Sequence, residues 1–64
     1  MTVKELKRGE FFCKKDIPFP SDSQVWIRGD YDRSTKRYEC TRFSDCSDVQ
    51  YLRGEKTVFC EFTF

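Results

Sequence analysis

Histidine is absent from this 64-residue sequence, which removes the Cys-His and Ser-His pairs that activate most nucleophilic side chains. The three glycines, Gly9, Gly29 and Gly54, are scattered, so no glycine-rich loop is present to cradle a phosphate. No apolar run approaches the ~20 residues that span a bilayer. The opening stretch MTVKELKRGEFF carries charges where an export signal needs a continuous apolar segment. A cytoplasmic setting without a membrane partner is therefore expected. Charge imbalance is missing as well: 12 Lys and Arg against 11 Asp and Glu leave a net +1, too little for the field of a nonspecific nucleic-acid binder. The neighbouring carboxylates Asp30 and Asp32, and Asp45 and Asp48, read as solvated turn residues. These gaps speak against an enzyme, and no cofactor is implied.

Aromatic side chains are what the chain has in quantity: seven Phe, three Tyr and one Trp, 17% of the residues. A chain this short makes one domain, residues 1–64, and buries only roughly 60% of its unfolded surface. Rings that each bury about 150 to 250 Å² are an economical core for it. Residues 24–43, QVWIRGDYDRSTKRYECTRF, read as two strands folded back across a polar four-residue loop, residues 32–35, built round a type I turn. Alternation puts Val25, Ile27, Gly29 and Tyr31 on a core face with Tyr38 and Cys40. Trp26, Arg28 and Asp30 then lie outside with Arg37, Glu39, Thr41 and Phe43. Gly29 inside the first strand implies a bulge or a close backbone approach.

Before the hairpin, Thr2-Val3-Lys4-Glu5 fits a capping box and Gly9 a C-cap, consistent with one or two helical turns anchored by Val3 and Leu6. Residues 10–15 read as a first strand, and residues 16–23, with both prolines, as a loop. Beyond the hairpin, residues 44–48 suit a loop, and residues 47–53 suit either a helical turn or a strand, five or so residues being too few to set the period. In the last strand, residues 57–64, Val58, Cys60, Phe62 and Phe64 face inward and Thr57, Phe59, Glu61 and Thr63 outward. The expected fold is mostly β, a small antiparallel barrel or strongly curved sheet resembling SH3-like barrels, with at most one or two short helical turns. An OB-fold normally needs a longer chain.

The segments Leu6-Lys7-Arg8-Gly9-Glu10-Phe11-Phe12, residues 25–36, Gly54-Glu55-Lys56-Thr57-Val58-Phe59 and Phe62-Thr63-Phe64 resemble a group of short uncharacterised proteins of Bacteroides-type gut bacteria. The resemblance implies a bacterial cytoplasmic setting and carries no activity and no functional residue.

Four cysteines, Cys13, Cys40, Cys46 and Cys60, would suggest two disulfides in a secreted protein; without an export signal they read as reduced thiols. They contain none of the closely spaced pairs of a structural zinc site, so no metal is expected. Arg28-Gly29-Asp30 spells an integrin-ligand tripeptide, but display requires an exposed loop and these residues lie in a strand. The feature with functional content is the outer face, where Trp26, Phe43 and Phe59 mix with Arg28, Arg37 and Thr41. Rings with arginines suit a protein hot spot, cation-π contact or base stacking. The alternative is a satellite core covered by the N-terminal turn or loops. The reading is a small binding or adaptor module engaging a protein partner or itself, with a nucleic-acid-binding barrel as the alternative.

Overall fold

Asp32 starts the turn about which the main hairpin folds. Its carboxylate accepts hydrogen bonds from the Ser34 N–H at 3.0 Å and the Ser34 hydroxyl at 2.7 Å, the local side-chain to backbone closure that favours Asp at turns. The computed structural model, which describes residues 1–63, places the loop at residues 33–36, one residue later than expected. It is closed by Asp32 opposite Arg37, and Lys36 adopts a left-handed φ of 57°. The strands are β1 (Phe11–Phe12), β2 (Trp26–Asp32), β3 (Arg37–Arg42) and β4 (Asp45–Leu52), an antiparallel meander in the order β1-β2-β3-β4.

Gly29 carries the expected bulge. Arg28 lies opposite Cys40 and Tyr31 opposite Tyr38, so Gly29 and Asp30 together face Glu39 alone. A Cβ on Gly29 would sit 2.8 Å from the Glu39 carbonyl oxygen, which is why only glycine fits. The bulge has a consequence that simple alternation misses. One extra residue moves every side chain beyond it to the other face. Tyr31 stays with Tyr38, their ring centroids 4.9 Å apart. Beyond the bulge, Trp26 and Arg28 join Cys40 and Arg42 on one face, while Ile27 joins Thr41 on the other. The expected assignment of Ile27 inward and Trp26 and Arg28 outward is thereby reversed, while Val25, at the start of the hairpin, is buried as expected.

The face carrying Trp26 is covered. Val3, Leu6, Phe12, Trp26, Cys40 and Val58 form the buried cluster, with Tyr38, Leu52 and Cys60 packed against it. Val3 and Leu6 come from a single 3-10 turn, Val3–Glu5, in which the Glu5 carboxylate accepts from the Thr2 N–H and hydroxyl. Those bonds hold the carboxyl below its usual range. One turn would not persist alone in water; its apolar docking and the Val3 N–H to Lys56 and Lys4 N–H to Gly54 carbonyl bonds keep it in place. Gly9, at φ 89°, ends a tight turn closed by Glu10 N–H to the Lys7 carbonyl rather than capping the helix, a position that demands positive φ.

Three expectations are corrected. Residues 57–63 do not form a strand: Thr57 pairs only with Thr2, and Phe59 only with Cys13, as isolated bridges. The Phe62 N–H turns back to the Cys60 carbonyl and the Thr63 N–H goes to Pro18, so the backbone donors a fifth strand would need are spent locally and on the loop. The inward parity nevertheless holds for Val58, which is buried, and for Cys60 and Phe62, half-buried; Phe64 lies outside the described residues. Without a closing strand β1 and β4 remain the two ends of an open sheet, and the 34 × 25 × 16 Å slab is neither a barrel nor a strongly curved SH3-like sheet. The third concerns residues 45–48, which join residues 49–52 in one strand, β4, settling the ambiguous segment as strand. A second 3-10 turn, Asp22–Gln24, stands in the proline-bearing loop.

Candidate functional site

The second face of the sheet is the open one. Cross-strand pairing aligns Phe11, Ile27, Thr41 and Val49 in a row that crosses all four strands. Phe43 joins the row at its β1 side, its ring 5.6 Å from that of Phe11 in an edge-to-face contact, and its N–H bonds the Val25 carbonyl. Phe11 is 40% exposed, Phe43 42% and Tyr51, next to the row on β4, 46%; Ile27, Thr41 and Val49 are half-buried. One end of this face is closed. Cys13 and Val25, which alternation places there, are fully buried outside the main cluster, so the satellite core exists at that end while the middle of the face stays accessible.

Of the six residues expected to form a binding face, the structure brings Thr41 and Phe43 together and separates the rest. Trp26 is 3% exposed, its indole between the Lys14 ammonium, 4.2 Å from the ring centroid, and the Arg42 guanidinium, 4.8 Å away. Lys14 also hydrogen-bonds Gln50, and Arg42 bonds Asp48 at 2.7 Å and the Ser23 carbonyl at 2.6 Å. Both cations are already engaged, and burial first, then the charges of Arg42 and Lys56, lower the Lys14 pKa. Arg28 lies with its guanidinium 4.3 Å over Tyr38, and its Nε is buried without a hydrogen-bond partner among the described residues. A cation over a desolvated ring gains about 2 kcal/mol, which offsets part of that cost. Arg37 sits at the hairpin end, lining a shallow cleft with Tyr31, Thr35, Lys36, Arg53 and Glu55. Phe59, 36% exposed, belongs to the C-terminal segment and pairs with Cys13 through two backbone bonds of 2.8 and 2.9 Å.

In the integrin-like tripeptide Arg28 is half-buried over Tyr38, while Asp30, in the bulge, is exposed and makes a surface ion pair with Arg8 at 3.1 Å. All four cysteines are free thiols. Burial pushes the Cys40 thiol from 9.0 up to about 11 and raises Cys13 and Cys60, which disfavours the thiolate form in all three. Among the described residues no three Cys, Asp or Glu side chains gather to hold a metal, and no helix is long and apolar enough to cross a membrane.

Phe11, Ile27, Val49 and Tyr51 were missed as surface residues by sequence reasoning. The signal available was the bulge glycine itself, since counting one extra residue at Gly29 turns Ile27 outward. No protein-family model, curated protein sequence or solved structure matches the chain.

Proposed function

We propose that this protein is a small non-catalytic binding module of a bacterial cytoplasm, contacting a protein partner through the open face of its sheet. The carrying observation is the row Phe11, Ile27, Thr41 and Val49 with Phe43 beside it, apolar and partly exposed across four strands. Exposed apolar side chains gathered on one face, unlike ones scattered singly, suit an interaction surface. Edge-to-face rings held by a sheet lose little conformational freedom on binding, the property that concentrates binding energy in aromatic anchors. The partner that fits is an apolar, weakly charged protein surface. The nucleic-acid alternative has less support, because Trp26 and Arg28, on which base stacking would have relied, face the covered side.

The test compares capture from lysate by wild type and by a Phe11→Ser/Phe43→Ser variant, each with and without nuclease. Binding by wild type that survives nuclease and falls about tenfold or more in the variant, a loss of ~1.4 kcal/mol or greater, is expected. Capture that disappears with nuclease and falls steeply with salt would point to nucleic acid instead, and undiminished capture by the variant would remove the open face from the function.

A further inference from the structure

We infer that the hairpin end of the sheet binds a phosphate group, free or carried by a small molecule, as a doubly charged tetrahedral oxyanion held by Arg37 and Arg53 with Lys36 beside them. The pairing of β3 with β4 ends at Tyr38 opposite Leu52, and the next residue on each side is an arginine, Arg37 and Arg53. Both line one shallow cleft of about 440 Å³ together with Lys36, Tyr31 and Glu55. Like charges set against each other across neighbouring strands destabilise a sheet. This end of the fold therefore gathers positive charge that stability does not call for, the kind of cost that a binding site carries.

The chain does not neutralise these groups itself. Asp32 lies directly opposite Arg37 in the β2–β3 register, yet its carboxylate serves the turn, accepting from the Ser34 N–H and hydroxyl. Among the described residues no ion pair or side-chain hydrogen bond engages Lys36, Arg37, Arg53 or Glu55. Arg8 and Arg42, by contrast, each meet a carboxylate, Asp30 and Asp48. The three cations of the cleft are exposed, so an anion reaches them without displacing a partner.

Charge selects the class of ligand. Lys36, Arg37 and Arg53 against Glu55 leave two positive charges in the cleft, which a phosphate group, at about −1.5 to −2 near neutral pH, balances and a single carboxylate does not. The planar guanidinium presents paired N–H donors that match phosphate oxygens. Tyr31 adds a second contact. Its ring, 46% exposed, forms part of the cleft wall and is backed by Tyr38 at 4.9 Å, so a flat group carried by the phosphate has a supported ring to lie on. The cleft shares no lining residue with the apolar row of the open face, and the inference does not depend on the protein partner proposed for that face.

Amide chemical shifts followed by NMR in phosphate-free buffer at constant ionic strength test it, with inorganic phosphate, phenyl phosphate and acetate as probes. Phosphate should shift residues 35–37 and 53 saturably, with a dissociation constant on the order of 1 mM. Arg37→Gln and Arg53→Gln should each weaken binding about tenfold or more, while Lys7→Gln, which removes an exposed lysine elsewhere, should not. Without phosphate both arginine variants should melt no lower than wild type, because each removes one member of a like-charge pair. Added phosphate should then raise the melting temperature of wild type more than that of either variant. Phenyl phosphate binding more tightly than phosphate identifies a monoester with a flat group as the ligand, and equal binding assigns the site to free phosphate. Shifts that do not saturate or that spread over lysines elsewhere, acetate binding as tightly as phosphate, or arginine variants that bind as wild type does, overturn the inference.

Discussion

Trp26 and Phe43 were both expected outside, and their fates divide at Gly29. Trp26 is buried among Phe12, Val3, Leu6 and Val58, so Trp26→Ala should cost about 3 to 5 kcal/mol. A domain of this size has only ~3 to 5 kcal/mol in total, and urea denaturation should find the variant largely unfolded. Phe43→Ala should change stability by about 1 kcal/mol or less, as an exposed site does. Gly29→Ala forces a Cβ to within 2.8 Å of the Glu39 carbonyl, and the backbone shift should cost about 1 to 3 kcal/mol. Cys40 supplies a pH signature. Its thiol is raised from 9.0 to about 11 by burial, so above pH 9 the unfolded chain releases a proton that the folded one keeps. That contribution, on the order of 2 kcal/mol, is fully present below pH 9 and lost progressively up to pH 11. Cys40→Ala should flatten this part of the stability profile against pH, and an unchanged slope would mean the thiol is not buried as described.

At the scale of elements, hydrogen exchange should rank the strands. β3 is flanked by β2 and β4 and carries Cys40 in the core, so its amides should exchange slowest. The outward amides of β4, which bond nothing outside the sheet among the described residues, should exchange fast. The segment 57–59 is the informative one. It is no strand, yet the Val58 N–H bonds the Met1 carbonyl at 2.8 Å and Phe59 exchanges two bonds with Cys13. Protection there comparable to β2 is expected, and free exchange would show that the segment adds no cover to the core. Hairpin, proline-bearing loop and N-terminal turn were legible in sequence because each rests on local chemistry: Asp32 with Ser34, Thr2 with Glu5, Pro18 and Pro20. The C-terminal segment has the same alternation as a strand, and its bonding to Met1, Cys13 and Pro18 is nonlocal, so pattern alone could not distinguish a strand from an extended cover.

At the scale of the whole molecule, residue types determined by themselves a β-rich chain with a hairpin near its middle and a glycine bulge in that hairpin; the expected aromatic core was not met, because only Phe12 and Trp26 of the rings lie in the buried cluster while Phe11, Phe19, Phe43, Phe59, Tyr31 and Tyr51 are exposed. Residue types also determined that β3 turns Tyr38 and Cys40 inward, because residues close to the turn inherit their parity from it. Which face of β2 is buried was decided only in three dimensions. Both faces of Val25 to Tyr31 carry large apolar groups, and the choice depends on where the extra residue of the bulge is absorbed and on cations that tolerate burial by lying over Trp26 and Tyr38. Closure of the sheet was likewise a tertiary matter. It required residues 57–63 to pair along their length with a distant strand, and the free energy of that pairing competes with the bonds they make to Met1, Cys13 and Pro18. Those bonds prevailed, leaving the sheet open on one face and along β4.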